Sequence, residues 1–101
     1  MNDSTLSHRA LSSLQRALSG GVHPQLRQAS IEMDSVAHLV RVRFEYDGSP
    51  EPEALDACQI AGTEVIADFS APWQIDEQHS AVACPGALSP LKCIAYRRAS
   101  V

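Results

Sequence analysis

Residues 40–46 read VRVRFEY, so Val40, Val42, Phe44 and Tyr46 alternate with Arg41, Arg43 and Glu45. Successive side chains on a strand point to opposite faces. A period of two, with β-branched and aromatic residues on one side, therefore specifies a half-buried β-strand. Just upstream, Leu26 is followed by Ala29, Ile31 and Met33 in alternation, and Asp34-Ser35 supplies a turn. The two runs predict an antiparallel hairpin that ends at Asp47-Gly48, a turn signal.

After this hairpin the chain becomes acidic and proline-broken, SPEPEAL. The change marks a strand-to-helix joint. Ser49 suits a helix cap and Pro50 a first helical position, where the missing amide costs nothing. Pro52 still falls within the first turn, and Glu51 and Glu53 sit at the positive end of the helix dipole. Leu55, Cys58, Gly62, Val65, Ile66 and Phe69 then line one helical face, and Pro72 prevents continuation. Capping explains the joint without any catalytic role.

An earlier helix is read from Leu6, Ala10, Leu11, Leu14, Ala17 and Leu18 at helical spacing. Asp3 or Ser4 is placed to cap its start, and Gly20 and Gly21 to stop it. Two further strands are expected at about residues 73–83 and 91–98, separated by the loop CPGALSP. The order αββαββ predicts an α+β, two-layer sandwich. Both helices cover one face of a four-stranded antiparallel sheet, and the face carrying Arg41, Arg43 and Glu45 meets water or a partner. Leu14, Val42, Phe44, Val65 and Ile66 are expected in one core.

At 101 residues, 45 % hydrophobic and 20 % charged, residues 1–101 are expected to form a single globular domain that needs no metal or disulfide staple. No apolar run approaches the ~18 residues of a membrane span. The N-terminal MNDSTLSHRALSSL has an early acid and no apolar core, so it does not read as a secretion signal, and a cytoplasmic location is the expectation. Three cysteines, an odd number without a Cys-x-x-Cys pair, point to free thiols.

The net charge of −4 argues against nucleic acid as a partner. It also hides an asymmetry. Between Phe44 and Leu91 there are nine acids and no Lys or Arg, while all eight basic residues lie outside that span. The middle of the chain is acidic and the ends are basic.

Catalytic and metal templates are missing. His79, Cys84, Cys93 and Cys58 lack the close pairing of structural zinc ligands, so no metal and no cofactor are expected. A cysteine paired with His8, His23, His38 or His79 has no local feature that would activate a thiolate. There is no G-x-S-x-G elbow and no phosphate-cradling glycine loop. Asp76 and Glu77, adjacent on a strand, point to opposite faces. The expectation is a protein that is not an enzyme.

The acids of the second helix carry the functional question. Glu64 and Asp68, four apart, repel each other weakly, and Asp68 lies at the end of the helix where an anion is disfavoured. Such a face either keeps the protein soluble or meets a basic partner, because complementary charge speeds and orients docking. The candidate partner-binding residues are Glu53, Asp56, Glu64, Asp68, Asp76 and Glu77.

Taken together, LRQASIEMD, VRVRFEYDG, GTEVIADF and the closing YRR give the chain a further signature. In that order, and over nearly everything after the first helix, it resembles a group of small, mostly uncharacterised bacterial proteins. These are associated with the immunity proteins of toxin systems, including contact-dependent growth inhibition. The resemblance implies a protein-binding module that neutralises a cognate toxin, and the acidic surface adds the expectation that the toxin domain is basic. It carries no residue roles. Two other functions fit the same residues. One is a structural or regulatory homodimeric subunit pairing through a sheet edge or open sheet face. The other is a small-molecule-binding domain with a pocket between helices and sheet.

Overall fold

The computed structural model describes residues 3–99. Along the chain run α1 (Asp3–Leu18), β1 (Leu26–Asp34), β2 (Leu39–Tyr46), α2 (Pro52–Ala67), β3 (Gln74–Ala81) and β4 (Cys93–Arg97). Ser4 lies inside α1 and does not cap it, and a cap from the Asp3 side chain lies outside the described residues. The helix stops at Leu18. Gly21 takes a positive φ of 125° there and donates its amide to the Leu18 carbonyl.

β1 and β2 form the expected antiparallel hairpin, with Ile31 opposite Val42 and Ala29 opposite Phe44. Asp34 Oδ1 accepts the Val36 and Ala37 amides and so closes the turn between the strands. The start of α2 differs from the sequence reading. Its N-cap is Glu51, which makes no side-chain cap, and Pro52 opens the helix. Gln25 does the work expected of Ser49. Its Nε2 donates to the carbonyls of Asp47 and Ser49, and its Oε1 accepts the Glu51 amide at 2.8 Å.

The sheet is mixed, not antiparallel throughout. Its order is β3-β2-β1-β4, and β2 pairs with β3 in parallel. The cause lies in α2. Sixteen residues of helix carry the chain back about 24 Å. The eight residues of β2 had advanced it by a similar distance, roughly 26 Å. β3 therefore starts level with the start of β2, which is what a helical crossover imposes. β4 pairs antiparallel with β1 on the other edge, and so runs in the same direction as β3. Residues 82–92 must then return along the length of the sheet. They do so across the face opposite the helices.

This strap corrects the expectation of an open polar face. Arg27 donates to the carbonyls of Val82 and Gly86, the Leu91 amide to Ser30 Oγ, and the Ser89 amide to Glu45 Oε2 at 2.6 Å. Beneath it Gln28, Ser30 and Glu45 are buried although they belong to the polar side of the strands. Gln28 accepts from Arg97 Nε at 2.8 Å and donates to Glu45 Oε1 at 3.0 Å, so each buried polar side chain is satisfied.

The core lies between the other face and the helices. Leu14, Val42, Phe44 and Val65 are fully buried in one cluster, with Ile66 packed against it. α2 presents mostly small residues to the sheet, namely Ala54, Cys58, Ala61, Gly62 and Val65. A Cβ at Gly62 would overlap Glu77 Oε1, so a larger residue there would have to push that carboxylate aside. Among the described residues, no helix is long and apolar enough to cross a membrane.

Candidate protein-binding face

The burial of small residues on one side of α2 turns the other side outward. Glu53, Asp56 and Glu64 are exposed there, and among the described residues their side chains take part in no hydrogen bond or ion pair. Ile60 lies between them and is 54 % exposed. Glu53 is favoured in the first helical turn by the dipole, but Asp56 and Glu64 gain nothing comparable from the fold. Ile60 is absent from the sequence reading. Its signal is positional, an apolar residue with an acid four places before it and another four places after.

The other three candidates lie elsewhere and are engaged within the fold. Asp68 caps the C-terminal end of α2 and reaches α1, accepting from Ser13 Oγ at 2.6 Å and Arg16 Nη2 at 2.8 Å. Arg9 donates to its carbonyl and lies over the Phe69 ring. The charge at the unfavourable end of the helix is thus matched by cations from α1. Asp76 sits on the polar face of β3, 3.7 Å from Arg41, which also pairs with Asp34 and Glu32. Glu77 points the other way, under α2, with its Oε2 3.2 Å from His79 Nε2. That contact is an ion pair only with the ring protonated. It lacks hydrogen-bond geometry, and the buried ring nitrogen has no hydrogen-bond partner.

Residues 7–100 match the MafI2 immunity protein family. The chain belongs to that family. A comparison with curated proteins finds no match. Membership in the MafI2 family bears out the resemblance to toxin-immunity proteins and directs attention to surfaces rather than to pockets.

The described recesses fit that emphasis. One of about 500 Å³ lies between α1 and the end of α2, lined by His8, Arg9, Arg16, Asp68 and Phe69. A groove of about 900 Å³ runs between the strap and β4, lined by Arg27, Arg97 and Arg98. Neither of these two lies between the helices and the sheet.

The cysteines do not converge. Cys58 is buried under α2, Cys84 is exposed on the strap 3.3 Å from Arg98 Nη2, and Cys93 is on the edge strand away from His79. Among the described residues no three His, Cys, Asp or Glu side chains are grouped to hold a metal ion. What does gather, unforeseen, is Tyr46, Cys58, Glu77 and His79. Tyr46 Oη and His79 Nδ1 share a hydrogen bond of 2.7 Å. Burial pushes the Cys58 thiol up, against a hydrogen bond with Tyr46, and pushes the Tyr46 phenol up further from its already high range. Both stay neutral at pH 7, so neither supplies a nucleophile or base there.

Three aspartates are expected to make the fold acid-sensitive. A hydrogen bond from Ser13, with Arg16 beside it, holds the Asp68 carboxyl below the usual range. The Cys84 amide and Arg98 do the same for Asp47, and the Ala37 amide and Arg41 for Asp34. A carboxyl lowered in the folded state contributes stability above its unfolded pKa and loses it as pH falls through the folded value. Stability should therefore drop as pH falls below about 4. Urea midpoints at pH 5 and pH 3 check this. The midpoint should be lower at pH 3, and Asp68→Asn, which keeps an acceptor for Ser13, should shrink the difference. Equal midpoints for the wild type would contradict the assignment.

Proposed function

We propose that this chain is a non-enzymatic immunity protein of the cytoplasm that binds and neutralises a cognate bacterial toxin. Its membership in the MafI2 immunity protein family is the observation that carries this reading. The finer part concerns the contact surface. Glu53, Asp56 and Glu64 on the outer face of α2 are proposed to meet a basic toxin surface, with Asp68, Asp76 and Glu77 held back by their internal partners. The fold pairs most of its acids and leaves these three facing water, where they attract a cationic partner at long range. A toxin that attacks nucleic acid needs a basic cleft, and an acidic protein seated in that cleft blocks it by charge and by shape.

Expression of candidate toxin domains from open reading frames adjoining this chain's gene, with and without this chain, provides the test. The toxin alone should arrest growth, co-expression should restore it, and the two purified proteins should co-elute. Continued arrest in cells containing soluble, folded chain would overturn the reading.

A further inference from the structure

We propose that Ile60 is the apolar anchor of the toxin interface, and that the toxin surface it meets is basic with an apolar recess at its centre. This deepens the immunity reading and rests on it. A single exposed aliphatic residue is ordinary on a protein surface, and Val36, 93 % exposed at the hairpin turn, is such a case. Ile60 differs in its setting. It occupies the middle of the outward face of α2, with Asp56 and Glu64 one turn away on either side and Glu53 two turns before it. Its remaining neighbours on that face, Ala57, Thr63 and Ala67, are short. Ile60 is therefore the largest apolar side chain on this face, the one suited to an apolar recess in a partner.

The charges select the occupant. A second copy of the chain placed on this face would bring Glu53, Asp56 and Glu64 against their own equivalents, and like-charge juxtaposition opposes docking. A nucleic acid or an anionic membrane is repelled in the same way. A basic protein surface is attracted, and its cations pair with carboxylates that have no partner in this fold. The arrangement is that of a buried central contact ringed by polar ones, in which the centre controls how long the complex lasts and the charged rim controls how fast it forms.

The experiment measures association and dissociation of the purified toxin domain that this chain neutralises in the co-expression test, with wild type, Ile60→Ala and Ile60→Lys. Thermal melting and sedimentation velocity accompany each protein. Because Ile60 is exposed, both variants should melt close to wild type. Ile60→Ala should dissociate about tenfold faster or more with little change in association rate, and Ile60→Lys should bind more weakly still. If Ile60→Ala and Ile60→Lys leave the complex at the wild-type rate, the anchor assignment is wrong, while the immunity reading survives because the complex still forms. Failure of the wild type to bind the toxin would remove both. A wild-type dimer that Ile60→Lys dissociates would mean that a second copy is the occupant, and would also overturn the proposal.

Discussion

Phe44→Ala should lower the unfolding free energy by about 3–5 kcal/mol. Phe44 is fully buried in the second half of β2, itself a central strand of the sheet. One neighbour across the sheet is Ala29, too small to fill a void, and the other is His79, whose ring stacks on Phe44 at a centroid distance of 5.3 Å. His79 is tied to Tyr46, and Glu77 sits beside it beneath α2. Removing the ring thus empties a site whose lining is held from several sides and relaxes only in part. A domain of this size has about 5–15 kcal/mol in total. Urea denaturation with an unchanged m-value checks the figure, and a loss under about 1 kcal/mol would mean that this position is not the centre of the core.

Glu45→Ala should cost less, about 2–3 kcal/mol, but in a different place. Glu45 is buried under the strap and holds two donors, Gln28 Nε2 from β1 and the Ser89 amide from the strap. Truncation leaves Gln28, which is fully buried, with a donor it cannot turn to water, and each such group costs about 1–3 kcal/mol. Relief of burying the carboxyl offsets part of that. Hydrogen exchange should separate the effect from that of Phe44→Ala. Exchange should quicken first at the Ser89 and Leu91 amides, and Glu45→Gln, which keeps an acceptor oxygen, should protect them better. Uniform acceleration across the whole sheet would show that the strap does not depend on Glu45.

The contrast between these two positions tells what the sequence could convey. Phe44 was legible because a strand with one apolar side announces itself within seven residues. The hairpin was legible for the same reason, and α1 and part of the buried stripe of α2 by their helical period, although Ala54 and Ala61 in that stripe were not. The burial of Glu45 was not, because a polar residue on the polar side of a strand looks solvated until the chain is known to cross over it. That crossing follows from the parallel pairing of β3, which depends on the match between helix and strand length and not on any local pattern. The cap of α2 was missed in the same way, since Gln25 supplies it from far upstream.

At the candidate site the long stretch without Lys or Arg was legible, but its meaning was only partly so. Absence of cations in sequence is not absence in space. Arg16 reaches Asp68 across 52 positions and Arg41 comes within 3.7 Å of Asp76. Only folding distinguishes these acids from Glu53, Asp56 and Glu64, which form no ion pair among the described residues, although Glu64 borders the same recess as Arg16.

Those three residues permit the most direct measurement. Association rates of the toxin domain with wild type and with Glu53→Gln/Asp56→Gln/Glu64→Gln should be recorded from low to high salt. The variant preserves size, and the three positions have no partner in the fold, so its melting temperature serves as a control for structure. At low salt it should associate about tenfold more slowly than wild type. The gap should close as salt screens the attraction, so that the variant shows the flatter dependence. Equal rates for the two proteins at every salt concentration would contradict the proposal that this chain captures its toxin through the acidic face of α2.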